Sequence, residues 1–283
     1  MNRSLSLSAV LLFPVFLLLL PEASVGQQVT FAERALTVGL TRAIVDSMEL
    51  VGLISVNAEG MDQAFDMGQS ERKVYSEAIL EVNDGTVTRK RLTFAEALER
   101  SAHPMQPVSV STAPVVGKSY IVAYLDDSLA ITRDDGSTAP DAERDYLVKE
   151  FSRTVENQFA DAFNGRTMSV GEEFELKDEL LAQFGASLNN GALKVRSAKF
   201  RLDGLGTTQG MQTALIGIDV VLAGAQGPME MEISMKGTAE IGVENLWPIS
   251  LVMDGTLVGA GNHGGVDLTA DGTMKMARLA TYQ

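Results

Sequence analysis

Met229-Glu230-Met231-Glu232-Ile233-Ser234-Met235-Lys236 alternates apolar and polar residues without a break. In a pleated strand that pattern puts four apolar side chains on one face and four polar ones on the other. A sheet with one such face must cover it with helices, a second sheet or a ligand. The pattern recurs on both sides of the stretch. Ala214, Ile216, Ile218, Val220 and Leu222 alternate before it, and Ile249, Leu251 and Met253 after it. Val266, Leu268 and Ala270 follow, then Met274 and Met276. Gly227-Pro228 reads as the turn into the methionine strand, and Asp254-Gly255 and Asp271-Gly272 as two further hairpin turns. In residues 193–205 the apolar phase switches between Val195 and Ala198, which predicts a β-bulge. Asn245-Leu246-Trp247-Pro248 is a break carrying the lone tryptophan. The fold class expected is mainly β (α+β). It is a large curved antiparallel sheet or half-barrel, with one long helix and one or two short helices packed on it.

The N-terminal half repeats the theme less clearly. Residues 29–56 read as two or three strands, and residues 66–70, polar with Gly68 inside, as a turn. Residues 73–91 read as a clearer hairpin, with Asn83-Asp84-Gly85 as its turn, since Asp-Gly between alternating arms is the strongest short-range hairpin signal. Residues 93–101 read as a short helix. Tyr120, Val122 and Tyr124, then Leu129 and Ile131, form a strand pair closed by Asp134-Asp135-Gly136.

A helical insert spans about 138–185. Thr138 is placed to cap it, Pro140 lies in its first turn, and Asp141 and Glu143 suit its N-terminal end. Leu147, Phe151, Val155, Phe159 and Phe163 make an apolar stripe, with Gly165 as the stop. A shorter helix is expected over about 177–184.

Residues 1–26 have the form of a secretory signal: Arg3, an apolar block from Leu11 to Leu20, and small residues at Ser24-Val25-Gly26, with cleavage after Gly26. The block is shorter than the ~20 residues a spanning helix needs. The mature chain, 27–283, is expected to be a single antiparallel β-rich domain, periplasmic or secreted, with no further transmembrane segment. The full sequence has 37 acidic and 23 basic residues, a formal balance of −14 that the mature chain keeps because Arg3 and Glu22 cancel, and that argues against nucleic acid and anionic membrane as partners. There is no cysteine, so neither a disulfide nor a thiol nucleophile is available.

Two segments carry a resemblance. Ser169-Val170-Gly171-Glu172-Glu173-Phe174-Glu175-Leu176, followed by Asp178-Glu179-Leu180-Leu181, resembles a segment of a family of uncharacterised secreted bacterial β-rich proteins. Phe174 stands where tryptophan is expected. Val116-Gly117-Lys118-Ser119-Tyr120 is similar to the same family. The resemblance covers residues 116–184 and, more diffusely, the C-terminal strands, and it brings no activity with it. In architecture alone the chain also resembles envelope lipoprotein and lipid carriers of the LolA and LppX kind, in which a half-open sheet holds acyl chains.

Chemistry is sparse. Gly259-Ala260-Gly261-Asn262-His263-Gly264 matches the dinucleotide fingerprint, but a strand rather than a helix is expected after it, so it reads as a glycine-rich loop and no cofactor is expected. His103 and His263 are isolated, and no nucleophile elbow is present. Asp126-Asp127 and Asp134-Asp135 read as turn residues before Ca²⁺ ligands. Carboxylate pairs for a hydrolase remain a trailing reading. The methionines admit three readings, in this order: core filler, an adaptable wall for an apolar ligand, and thioether ligands for Cu(I). On the second reading the lining residues are Met229, Met231, Ile233, Met235, Met253, Met274 and Met276, with Trp247. Function is therefore expected to be non-catalytic. Either the protein binds an apolar, lipid-like small molecule, or it is a packed module of the envelope with a protein partner.

Overall fold

The alternating runs become strands of unusual length. In a computed structural model, residues 26–283 are described except 35, 59–60, 103–106, 126–127, 152–157 and 183–192. The proposed signal peptide, apart from Gly26, thus lies outside the described residues, as do His103, Asp126 and Asp127.

The strands are β1 (Gln28–Thr30), β2 (Thr41–Ala58), β3 (Met61–Asn83), β4 (Thr86–Ala102), β5 (Ser109–Thr112), β6 (Ser119–Leu125), β7 (Ser128–Arg133), β8 (Thr167–Ser169), β9 (Glu173–Glu175), β10 (Leu193–Thr208), β11 (Met211–Gln226), β12 (Met229–Gly242), β13 (Pro248–His263) and β14 (Val266–Tyr282). Twelve form one curved antiparallel sheet that does not close, in the order β7-β6-β4-β3-β2-β14-β13-β12-β11-β10-β9, with β5 beside β4. β1 and β8 make a separate pair. Two meanders, β2–β7 and β10–β14, are joined along one seam where β14 pairs with β2.

Two-residue turns set the registers. Asp84-Gly85 has φ of 49° and 83°. Both residues are left-handed, the geometry that matches the twist of the flanking strands and that glycine adopts without a Cβ penalty. Gly227-Pro228 also turns as expected. Asp254-Gly255 and Asp271-Gly272 do not turn. They lie inside β13 and β14, with Asp254 opposite both Lys236 and Lys275, and Gly255 between Met235 and Met274. The turn between β13 and β14 falls instead at Gly264-Gly265, and Gln209-Gly210 turns β10 into β11. Residues 259–263, read as a loop, are the end of β13, and β14 follows rather than a helix.

Two other expectations are corrected. Residues 66–70 continue β3, with Gly68 opposite Val51 and Ala102. Asp66 and Ser70 point to the outer side and Gln69, exposed, to the inner side beside Leu50, so the polarity marks wet sheet and not a turn. Residues 93–101 are strand β4, not helix. A register shift between Val74 and Tyr75 leaves Ala95 without an opposite residue. The bulge slips the apolar phase by one, so Phe94, Ala97 and Leu98 mimic helical spacing. The bulge expected between Val195 and Ala198 is present, between Val195 and Ser197.

Helix α1 (Asp141–Phe151) starts one residue after Pro140, whose carbonyl accepts the Glu143 and Arg144 amides at 3.1 and 3.0 Å. Thr138 does not cap it but bridges to Thr132. α2 (Gln158–Phe163) ends at Gly165, which is left-handed at φ 73°. Residues 178–182 form a further short helical segment.

The face carrying Ile44, Ile216 and Met235 is here called inner. It is covered by two aromatic-centred clusters. In one, Phe163 packs among Phe31, Phe174 and Phe200, with ring centroids 5.1–5.3 Å from its own, against the inner residues of β10–β13. In the other, Leu147 and Phe151 of α1 close over Tyr75, Phe94 and Tyr120. The opposite, outer face leaves Val51, Val252, Val258 and Leu279 exposed.

Candidate functional site

From the Phe163 cluster, to which Ile233, Met235, Met253, Leu257 and Ala270 belong, the inner face continues as ladders of residues in cross-strand register, with the half-buried methionines packed against that cluster. One row runs Met231, Gly259, Ala270, Ile54 and Phe65. The next is Ile233, Leu257, Gly272, Gly52 and Met67, and then come Met235, Gly255, Met274 and Leu50. After these stand Gly237, Met253, Met276 and Met48. Met229 begins the series, opposite Gly261. All seven strand residues named from the sequence therefore share one face. Met235 and Met253 are buried, and Met229, Met231, Met274 and Met276 are half-buried. Met48, Met67 and Leu50 belong with them. The signal for these three was the alternation of β2 and β3, obscured by the assignment of a turn at 66–70.

Glycine and methionine are paired for a steric reason. A Cβ on Gly259 would come within 2.8 Å of the Met231 sulfur, which fills that space. On Gly237 it would meet the Val252 carbonyl oxygen at 2.0 Å, so the neighbouring backbone stands where a side chain would. The result is a surface with low points at glycine, filled by unbranched thioethers with several rotamers each.

At its α1 end this apolar face gives way to ions. Arg278 donates to both Asp46 oxygens at 2.6 and 2.8 Å, and the Tyr75 hydroxyl donates to the same carboxylate at 3.3 Å. Glu77, buried, accepts from Arg42 Nε at 2.8 Å and from Lys90 at 3.2 Å. Lys73 bridges Glu71 and Glu150, tying α1 to the sheet. Burial would raise the Glu77 pKa, but Lys90 and Arg42 outweigh it and hold the carboxyl down at about 2. Burial likewise opposes the charge on Lys73, yet Glu150 and Glu71 keep it above the usual lysine range. Trp247 is not in the methionine rows. Its ring stacks under the Arg42 guanidinium at 3.8 Å, at the ionic end of the face. Sequence reasoning missed this network, although Glu77 is in phase with Tyr75 and Ile79, and Arg278 with Met276 and Ala280. A charge on the apolar phase of a strand was the available signal.

Glu143 holds a second ionic knot, accepting from Lys118, Tyr120 and Arg133 at 2.6–2.7 Å and locking α1 to β6 and β7. On the outer face a groove of about 580 Å³ crosses six strands, between the side chains of Leu98, Arg72 and Val252 and those of Arg100, Lys275 and Asp254. His263 is exposed at the end of β13. Asp134 pairs with Arg91, and Asp135 accepts the Ser137 amide, both as turn residues. Among the described residues no group of three or more His, Cys, Asp or Glu side chains is placed to hold a metal ion, and no helix is long and apolar enough to cross a membrane.

No protein-family description matches the chain, and no curated protein matches it. Among solved structures it is similar to one of lipovitellin, described as showing lipid–protein interactions. Identity is 11% and the TM-score 0.39, with 88% of this chain covered and 26% of that one. The chain thus spans about a quarter of that protein. A DUF1329 family protein from Desulfovibrio piger is similar at 8% identity and TM-score 0.15, over 80% of this chain and 83% of the other. A mutant porin from Rh. blastica is similar at 9% and 0.22, over 84% and 100%. At such scores none of them carries a function across.

Proposed function

We propose that this is an exported, non-catalytic binding protein that holds an apolar, lipid-like ligand against the inner face of its sheet. The observation that carries the reading is the glycine–methionine register: four half-buried methionines on β12 and β14, three of them opposite glycines of the β13 strand between, form an apolar surface that can re-pack around a flexible chain. From Met229 to Gly237 the surface runs roughly 27 Å, at about 3.4 Å per residue. An acyl chain laid along it gains about 0.8 kcal/mol for each methylene buried. Residues 1–26 supply the sequence support for export.

The protein purified from its native envelope without detergent is expected to show a bound mass in native mass spectrometry and an N-terminus at Gln27. Once delipidated it should take up a fluorescent acyl probe, and Met274→Glu, which sets a charge in the middle of the rows, should weaken that uptake at least about tenfold. A clean apo mass with no probe uptake would sink the proposal and leave the packed envelope module with a protein partner as the reading.

A further inference from the structure

We infer that the ligand is an amphiphile whose head is polar but uncharged, a hydroxyl- or amide-bearing group, and that this head docks in the ionic end of the inner face. This rests on the binding reading above and adds the head-group class to it. A cavity of about 110 Å³ opens among Arg42, Asp46, Lys73, Glu77, Glu150 and Arg278. It lies next to the methionine rows: Asp46 and Arg278 are each two residues along their strands from Met48 and Met276, on the same face, and the two pairs are in register. A volume of that size holds about three waters, or a head group of a few heavy atoms.

The charges decide the class of head. Three cations face three anions, and each is already in a salt bridge within the cluster. A carboxylate, phosphate or ammonium entering this balanced, half-dry site would lose its hydration without finding a free counter-charge. A hydroxyl or amide loses far less and finds donors and acceptors on every side. A head in this cavity would also sit beside the only tryptophan of the chain, since Pro248 lines the cavity and Trp247 precedes it, against Arg42.

The test uses the delipidated, full-length mature protein and three probes of one chain length: dodecanol, dodecanoate and dodecylamine, the last two in their ionised forms. Each is titrated against a bound fluorescent apolar dye while Trp247 emission is followed. Dodecanol is expected to displace the dye at a concentration about tenfold below either ion, and to shift the tryptophan emission. Asp46→Asn removes one anion, and in that variant dodecanoate is expected to gain about tenfold relative to dodecanol. Equal displacement by all three, or an ion preferred by the wild type, would overturn the head-group inference and leave the apolar site standing. So would an unchanged ratio in an Asp46→Asn protein that keeps its circular dichroism. If that variant does not fold, the wild-type order alone decides. If neither dye nor any amphiphile binds, the binding reading itself fails.

Discussion

Glu77→Gln is expected to lower the free energy of unfolding by about 3–5 kcal/mol, measured by urea denaturation at neutral pH. Among the described residues Glu77 is the one anion paired with both Arg42 and Lys90, and all three side chains are at most 14% exposed. Glutamine keeps the shape and loses the charge, so two buried cations are left facing each other. The same variant should change the acid limb. A carboxyl held at about 2 when folded and near the ordinary value when unfolded contributes stability that is complete above about pH 4.5 and lost as pH falls toward 2. In the wild type the urea midpoint should fall steeply across that window, and in Glu77→Gln the slope should shrink. Glu143, also held at about 2, by Arg133 above all, against the effect of burial and with help from Lys118 and Tyr120, contributes to the slope that remains. A Glu77→Gln protein as stable as wild type would show that the trio adds nothing beyond its desolvation cost.

Phe163→Ala is expected to cost about 3–5 kcal/mol, the range for removing a buried aromatic ring. Phe163 is fully buried and its ring contacts Phe31, Phe159, Phe174 and Phe200. These four come from four different segments, so the cavity left behind cannot be closed by moving one of them. A shift in the urea midpoint at constant slope would place the effect in the native state. A loss below about 1 kcal/mol would mean that the segments around Phe163 repack freely.

Most of the sheet was legible in the sequence because its strands are amphipathic and period two is hard to mimic. The methionine strand, the Asp84-Gly85 hairpin and the bulge after Val195 follow from residue order alone. What was not legible came from one residue type used for two purposes. Asp-Gly is a turn signal when both residues need positive φ. At Asp254-Gly255 and Asp271-Gly272 the aspartate faces water, and the glycine makes room on the inner face for Met235 or brings β14 close to β2. Local sequence cannot separate these cases, because the partner strand decides. The same holds at Ala95, where a bulge imitates a helix. That the methionines share a face was readable as strand phase. That Asp46 and Arg278, 232 residues apart, meet beside them was not, since nothing local brings β2 to β14.

That seam has a kinetic consequence. Every other junction between neighbouring long strands is a hairpin whose arms meet through a short connection, and such junctions zip quickly. The β2–β14 pairing must find its register across most of the polypeptide, against the full entropy of closing so large a loop. The two meanders should therefore mature first and dock late. In pulse-labelled hydrogen exchange during refolding, the amides of β2 that bond to β14 are expected to gain protection after those linking β3 to β4. Until that docking, both halves present a bare strand edge, the state in which the chain is most open to association with its own kind.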